Sequence, residues 1–114
     1  MEARTKQAVL RLFRLTRALP QTFEAQTIRK QVVRSASSVG ANYRAAQRSR
    51  SKAEFKAKLG IVEEEADETC FWLELVIEDE ALPATKVEPL LQEFNEITAI
   101  VSASLRTIKA ADKA

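Results

Sequence analysis

Apolar residues in the third quarter of the chain recur at alternating steps of four and three. The repeat consists of Phe55, Leu59, Val62, Ala66, Thr69, Leu73 and Val76. This spacing returns one side chain to the same face at every helical turn, as in helices that pack at shallow crossing angles. The segment is therefore predicted to be a long helix of a left-handed bundle, ending near Glu80 or Leu82.

Two further helices are predicted before this segment. Pro20 ends a periodic stretch over residues 3–19, and a second stretch over residues 23–48 keeps its apolar side chains on one side. Ser51, followed three residues later by Glu54, has the spacing of a capping box and marks the start of the third helix.

A fourth helix is predicted after the short segment between Pro83 and Pro89. Thr85 with Glu88 has the spacing of a capping box, but Pro89 also suits the first position of a helix. The fourth helix is therefore expected to begin at one of these two places. Short connections favour an all-α, antiparallel up-down-up-down four-helix bundle, with residues 1–114 as a single domain.

The residue types needed for most catalytic and metal sites are missing or badly placed. The chain has no histidine and only one cysteine, Cys70, which excludes Ser-His and Cys-His pairs and the Glu-x-x-His ligands of di-iron bundles. The acids from Glu63 to Glu68 are interpreted as a solvated helix face, and Cys70 beside them as a packing residue with a raised pKa. No enzyme activity, cofactor or metal is expected; turnover abolished by changing Glu65 or Cys70 would overturn this.

The single cysteine and the lack of a long apolar run favour a cytoplasmic protein. A lone thiol is usual in a reducing compartment, and no apolar stretch approaches the roughly 20 residues that span a bilayer. The segment from Arg4 to Arg17 is basic and amphipathic, which also suits a transit peptide or a membrane-surface helix. Its apolar stripe is equally what a bundle helix requires.

Gly40 lies inside the second predicted helix, where glycine costs about 1 kcal/mol relative to alanine. It is therefore expected to permit a close approach by another helix. Ser35, Ser38 and Asn42 neighbour it at helical spacing, and either hydrogen-bond across a packed seam or lie at the core margin.

Positive and negative charges are divided between the two halves of the chain. Residues 1–56 contain 13 Lys and Arg against 3 acids, whereas residues 57–114 contain 5 against 13. This asymmetry indicates either an anionic partner or pairing between the halves within a bundle or an oligomer.

The positive charge is concentrated on one face of the second predicted helix and the turn after it. Its members are Lys30, Arg34, Arg44, Arg48, Arg50, Lys52 and Lys56. At 100° per residue, Arg34, Arg44 and Arg48 lie within about 40° of Lys30, and this row is opposite Val39. Such a row is suited to contacting the phosphates of a nucleic acid without recognising its base sequence. It is also typical of a solvated helix face.

Phe71 and Trp72 are adjacent and diverge on a helix, so they cannot both enter one core. One of them is predicted to lie at an oligomer interface, where large aromatic side chains anchor association.

The stretch from Gln31 to Leu73 resembles the 23S rRNA intervening-sequence proteins, a four-helix bundle family similar to the accessory proteins of diversity-generating retroelements. The residues that carry the resemblance are Gln31, Arg34, Ser35, Ser38 to Arg44, Ala46 to Arg48, Ser51, Phe55, Lys58, Leu59, Glu65 to Thr69, Trp72 and Leu73. Ala45 departs from the family, in which an acid is usual at that position.

The resemblance implies a homo-oligomer, specifically a homopentamer. For the retroelement relatives it also implies a basic surface that binds RNA or DNA and a protein partner such as a reverse transcriptase. Two hypotheses follow. In the first, the basic residues contact nucleic acid. In the second, the protein is a structural or protein-partner scaffold in which they pair with the acidic face of the third helix in a neighbouring subunit.

Overall fold

Four α-helices account for most of residues 1–113, the part of the chain that this computed structural model describes. They are α1 (Glu2–Thr16), α2 (Phe23–Gln47), α3 (Lys52–Glu78) and α4 (Ala84–Lys113). Ala114, the last residue of the predicted domain, lies outside the described residues. Among residues 1–113, no helix is both long and apolar enough to cross a membrane.

The connections are too short to let consecutive helices run in the same direction. The longest, residues 17–22, reaches about 20 Å when extended, whereas the 25 residues of α2, which follows it, rise about 37 Å. Each helix must therefore run back along the one before it. Neighbouring helices pack in sequence order and α1 contacts α4, which closes an all-α bundle of 50 × 22 × 20 Å.

The core runs between the four helices as one apolar cluster. Leu12, Val39, Leu73 and Phe94 represent the four helices in it, and each is at most 1% exposed. Of the predicted α3 seam only Phe55 is half-buried, and the other six residues are buried. The periodicity prediction is confirmed because a bundle hides one stripe of each helix from water.

Side-chain caps fix the starts of α2 and α3. Ser51 Oγ accepts a hydrogen bond from Glu54 N at 3.0 Å, as the capping-box spacing predicts. Thr22 Oγ1 accepts one from Ala25 N at 3.3 Å in the same way. Each bond provides an acceptor for a backbone N–H in the first helical turn, where the helix itself provides none.

Two helices end earlier than predicted. α1 stops at Thr16 rather than residue 19, because the next three amides bond to carbonyls only three residues back. α3 stops at Glu78, before the predicted Glu80 or Leu82, because Glu80 adopts a left-handed conformation with φ of 57°. A left-handed residue cannot continue a right-handed helix.

Neither of the two alternative starts for α4 is correct. α4 begins at Ala84, so Thr85 is already helical, and Pro89 lies inside the helix rather than at its first position. Pro89 has no amide hydrogen for the helical bond to the carbonyl of Thr85.

Candidate nucleic-acid interface

The predicted row on α2 lies on the outer surface of the bundle. Lys30, Arg34, Arg44 and Arg48 are exposed, while Val39 on the opposite side of the helix is fully buried. Arg50 and Lys52 are also exposed and Lys56 is half-buried. The fold therefore makes these seven side chains accessible, but their electrostatic surroundings differ.

Arg34 is paired within the chain. Its Nη1 donates to Glu65 Oε2 at 3.0 Å and its Nη2 donates to Glu68 Oε2. The hydrogen bond to Glu68 is the main reason that the pKa of Arg34 is raised, with a further contribution from the charge of Glu65. The contact joins α2 to α3 of the same chain, so two carboxylates offset the Arg34 charge locally.

Lys52 and Lys56 are also paired within the chain. The Nζ of Lys52 lies 2.8 Å from Asp112 Oδ1, and the Nζ of Lys56 lies 3.2 Å from Asp112 Oδ2. The hydrogen bond from Lys52, and then that from Lys56, lowers the pKa of Asp112. These contacts tie the start of α3 to the end of α4.

The other four residues of the predicted set have no carboxylate partner within residues 1–113: Lys30, Arg44, Arg48 and Arg50. Three of them lie at the end of the bundle where α2 ends and α3 begins. The structure therefore concentrates available positive charge at Arg44, Arg48 and Arg50.

Helix α1 extends the cationic surface. Lys6 lines a groove between α1 and α2 together with Arg44, and Arg17 and Arg29 lie further along the same side beside Phe13. The sequence did contain a signal for the α1 residues, because the segment from Arg4 to Arg17 is basic. It could not show which of these side chains lie beside the α2 row, since that depends on how α1 packs.

Arg4 has a different role. Its Nε and Nη2 donate to the two carboxylate oxygens of Glu93, both at 2.8 Å, and Nη2 also donates to Glu96 at 3.0 Å. The Arg4 hydrogen bond lowers the pKa of Glu93. This two-pronged contact joins α1 to α4, so Arg4 contributes to bundle closure rather than to the cationic surface.

The outer face of α3 is acidic. Glu64, Asp67, Glu74 and Glu78 are exposed around Phe71, and none pairs with a cation among residues 1–113. We call these five residues the α3 outer face. Within the described part of the chain, no group of three or more acidic or cysteine side chains is placed to hold a metal ion.

Cys70 is a buried packing residue, as predicted. It is 4% exposed, and its pKa is raised to about 11, first by burial and then by the charges of Asp67 and Glu74. A thiol with such a pKa stays protonated near neutral pH and is a poor nucleophile.

Phe71 and Trp72 point in different directions, as the sequence predicts. Phe71 is 51% exposed, whereas Trp72 is half-buried and its Nε1 donates to Glu68 Oε2 at 3.1 Å. The two rings meet edge to face, with centroids 5.0 Å apart. Phe71 is therefore the member of the pair that presents its ring to the outside of this chain.

Comparisons with known proteins support the family resemblance over most of the chain. A family model described as the 23S rRNA-intervening sequence protein matches residues 2–103. A solved structure from Bacteroides thetaiotaomicron, described as a protein with unknown function from the S23 ribosomal protein family, is 31% identical, with a TM-score of 0.84. The alignment covers 91% of this chain and 96% of that chain. No curated protein matches the chain. The chain belongs to the 23S rRNA-intervening sequence protein family.

Proposed function

We propose that this protein is a non-catalytic, homo-oligomeric helical bundle that binds nucleic acid through its cationic surface without base specificity. The observation that carries the proposal is the group of exposed cations without carboxylate partners at one end of α2. Arg44, Arg48 and Arg50 are accessible and unpaired within residues 1–113, which is the state that binding to phosphates requires.

Phosphate binding also accounts for the division of charge along the chain. Contacts between cations and phosphates release condensed counterions, so a surface without a pocket can bind nucleic acid. The aromatic side chains give no support to base stacking. Trp72 is half-buried with its N–H bonded to Glu68. Of the two exposed phenylalanines, Phe23 begins α2, at the opposite end from Arg44, and Phe71 lies among the acids of α3. We therefore expect binding that depends on charge and salt rather than on sequence.

The alternative is a structural or protein-partner scaffold. Arg34, Lys52 and Lys56 pair with carboxylates of their own chain, which limits their part both in phosphate binding and in ion pairs with a neighbouring subunit. These three cations already stabilise contacts between helices. Exposed ion pairs contribute only about 0–1 kcal/mol each, so apolar contact would have to drive assembly in either case. The two functions are therefore distinguished by binding measurements rather than by stability.

Fluorescence anisotropy with labelled mixed-sequence RNA and the matching DNA duplex tests the proposal. RNA and DNA are measured side by side, because unpaired surface cations can contact the phosphates of either. We expect a linear fall of log affinity with log salt, in which each phosphate that the protein neutralises adds about 0.7–0.9 to the slope. The triple change Arg44→Gln, Arg48→Gln and Arg50→Gln should weaken binding and flatten the slope.

A matched control removes three cations from another surface. Arg11, Arg14 and Lys86 line a separate open pocket between α1 and α4, and changing all three to Gln alters net charge equally. An equal loss of affinity in the control means that binding does not depend on the α2 end. No binding by the unaltered protein near 50 mM salt, with the bundle folded, contradicts the nucleic-acid role and favours the scaffold.

Light scattering tests the oligomeric part of the proposal separately. We expect a species of several subunits at micromolar concentration, and five subunits if the family resemblance extends to assembly. A monomer at that concentration contradicts this part without affecting the nucleic-acid measurement.

A further inference from the structure

The α1/α2 groove combines an apolar floor with a positively charged rim. Its floor is formed by Val9, Leu10, Phe13, Gly40 and Ala41. A methyl group on Gly40 would lie 3.3 Å from Val9 Cγ2, so glycine keeps this part of the groove narrow. The volume of about 320 Å³ is at the small end of ligand pockets, which run from about 300 to 1,000 Å³.

The rim carries more cations than acids. Lys6 and Arg44 line one end with Glu2 as the only acid, and Arg17 and Arg29 continue the positive charge beyond Phe13. None of these four cations is paired with a carboxylate within residues 1–113. A surface that fits the groove should therefore be convex, apolar at its centre and acidic around it.

The α3 outer face of the same chain has these properties. Phe71 projects from the side of α3 that faces away from the core and is 51% exposed. Asp67 and Glu74 precede and follow it by four and three residues, so they flank the ring on the helix surface. Glu64 and Glu78 extend the negative charge along the helix in both directions.

We propose that the α3 outer face of one copy docks into the α1/α2 groove of a second copy, with Phe71 entering the groove and the flanking acids meeting Lys6, Arg17 and Arg29 on its rim. The inference rests on the proposed homo-oligomer and specifies its contact surfaces. The partner is a second copy because both complementary surfaces are unpaired on one chain. The apolar centre supplies the association energy, and the charges select the orientation.

The two docking surfaces are different, so the contact is heterologous. Each copy keeps one free groove and one free α3 outer face after pairing with a single neighbour. Each further copy is related to the one before it by the same rotation. The copies form a ring if repeated rotation returns to the first copy, and a filament if it does not.

A charge-exchange experiment with two variants tests the pairing. The groove variant carries Lys6→Glu and Ala41→Glu, and the face variant carries Asp67→Lys and Glu74→Lys. All four positions are exposed, so circular dichroism should show intact bundles. Arg44 is left unchanged because it also belongs to the candidate phosphate-binding residues.

Each variant alone should be a monomer in light scattering at a concentration where the unaltered protein is an oligomer. In the groove variant the two new glutamates face the unaltered acids beside Phe71, and in the face variant the two new lysines face the unaltered cationic rim. An equimolar mixture should form a larger species, because the two new glutamates can then meet the two new lysines and the unaltered groove can meet the unaltered face. Phe71→Ala should also weaken assembly, whereas Phe23→Ala, which removes an 86% exposed phenylalanine from α2, should not.

Three results would contradict parts of the inference in different ways. Oligomers that persist in both single preparations place the interface elsewhere and leave homo-oligomerisation intact. Monomeric variants that fail to combine on mixing show that the two surfaces are not each other's partners. A monomeric unaltered protein removes the proposed oligomer itself.

Discussion

Ser35 and Thr69 join α2 to α3 inside the core. Both side chains are fully buried, and their hydroxyl oxygens are 2.8 Å apart. The Thr69 hydroxyl also lies 2.8 Å from the carbonyl of Glu65, and the Ser35 hydroxyl lies 3.3 Å from the carbonyl of Val32, so either hydroxyl can donate in the bond between them. The residue pair thus fixes the register of two helices at one point.

Replacing the two hydroxyls should reveal energetic coupling. We expect Ser35→Ala and Thr69→Val each to lower the free energy of unfolding by about 1 kcal/mol, with a coupling energy near 1 kcal/mol in the double variant. Urea unfolding of the four proteins measures this. The control pair, Ser104→Ala and Thr107→Val, removes hydroxyls that bond only within α4 and should show no coupling. No coupling between Ser35 and Thr69 would mean that their bond adds nothing to the α2–α3 contact.

Gly40 permits the close approach of another helix, as predicted, but the polar residues grouped with it have different partners. The sequence grouped it with Ser35, Ser38 and Asn42 as one seam. In the structure Gly40 faces Val9 of α1, whereas Ser35 bonds to α3 and Asn42 bonds to Ser38 on its own helix. The close approach was predictable from glycine in a helix, but its partner depended on which neighbour packs on that side.

At the scale of the element, the end of α3 is a hydrogen-bonded cap without glycine. Glu80 N donates to the carbonyl of Ile77, and Ala81 N donates to the carbonyl of Val76, both at 3.0 Å. This is the Schellman pattern, which places a left-handed residue just after the helix. Glutamate occupies that position at φ of 57°, where glycine is usual.

Glycine at this position should therefore stabilise the protein. We expect Glu80→Gly to raise the free energy of unfolding by about 0.5–1 kcal/mol, because relief of left-handed strain exceeds the added entropy of the unfolded chain. Thermal and urea unfolding measure the change. Asp79→Gly is the matched control, since Asp79 has a right-handed conformation with φ of −82°, and this change should be destabilising. A loss of stability in Glu80→Gly would contradict the strain argument.

Helix starts were more predictable than helix ends. Ser51 caps α3 through a local bond to Glu54 N, and local spacing is visible in a sequence. The ends of α1 and α3 depend on backbone conformation. At Glu80 the left-handed conformation occurs without the glycine that would have indicated it in the sequence. The start of α4 was misplaced because Thr85 and Glu88 have capping-box spacing inside a helix that begins at Ala84.

At the scale of the whole molecule, ion pairs between helices neutralise part of the charge difference between the two halves of the chain. Arg34 and Arg4 come from the basic half and pair with Glu65, Glu68, Glu93 and Glu96 of the acidic half. Helical periodicity predicted the four α2 members of the basic set, and the sequence of the turn after α2 and the start of α3 supplied the other three. The sequence could not identify which members were paired, because these contacts join residues at least 31 positions apart.

These ion pairs predict a loss of stability in acid. The pKa of Glu93 is lowered by Arg4 and that of Asp112 by Lys52 and Lys56. Each carboxylate therefore stabilises the fold above its unfolded pKa of about 4, and this contribution is lost as pH falls through the lower folded value. We expect the urea midpoint to fall below about pH 4.5. Glu93→Gln should make this fall shallower, and an unchanged pH profile would contradict the role given to the Arg4 contact.

Trp72 gives the protein a built-in optical reporter. It is the only tryptophan in the chain, its indole N–H is bonded to the same Glu68 oxygen that accepts from Arg34, and its ring touches Phe71. Its emission spectrum is therefore sensitive both to separation of α2 from α3 and to water leaving the surface around Phe71. The emission wavelength and intensity of the unlabelled protein can thus report changes both inside the bundle and on its surface.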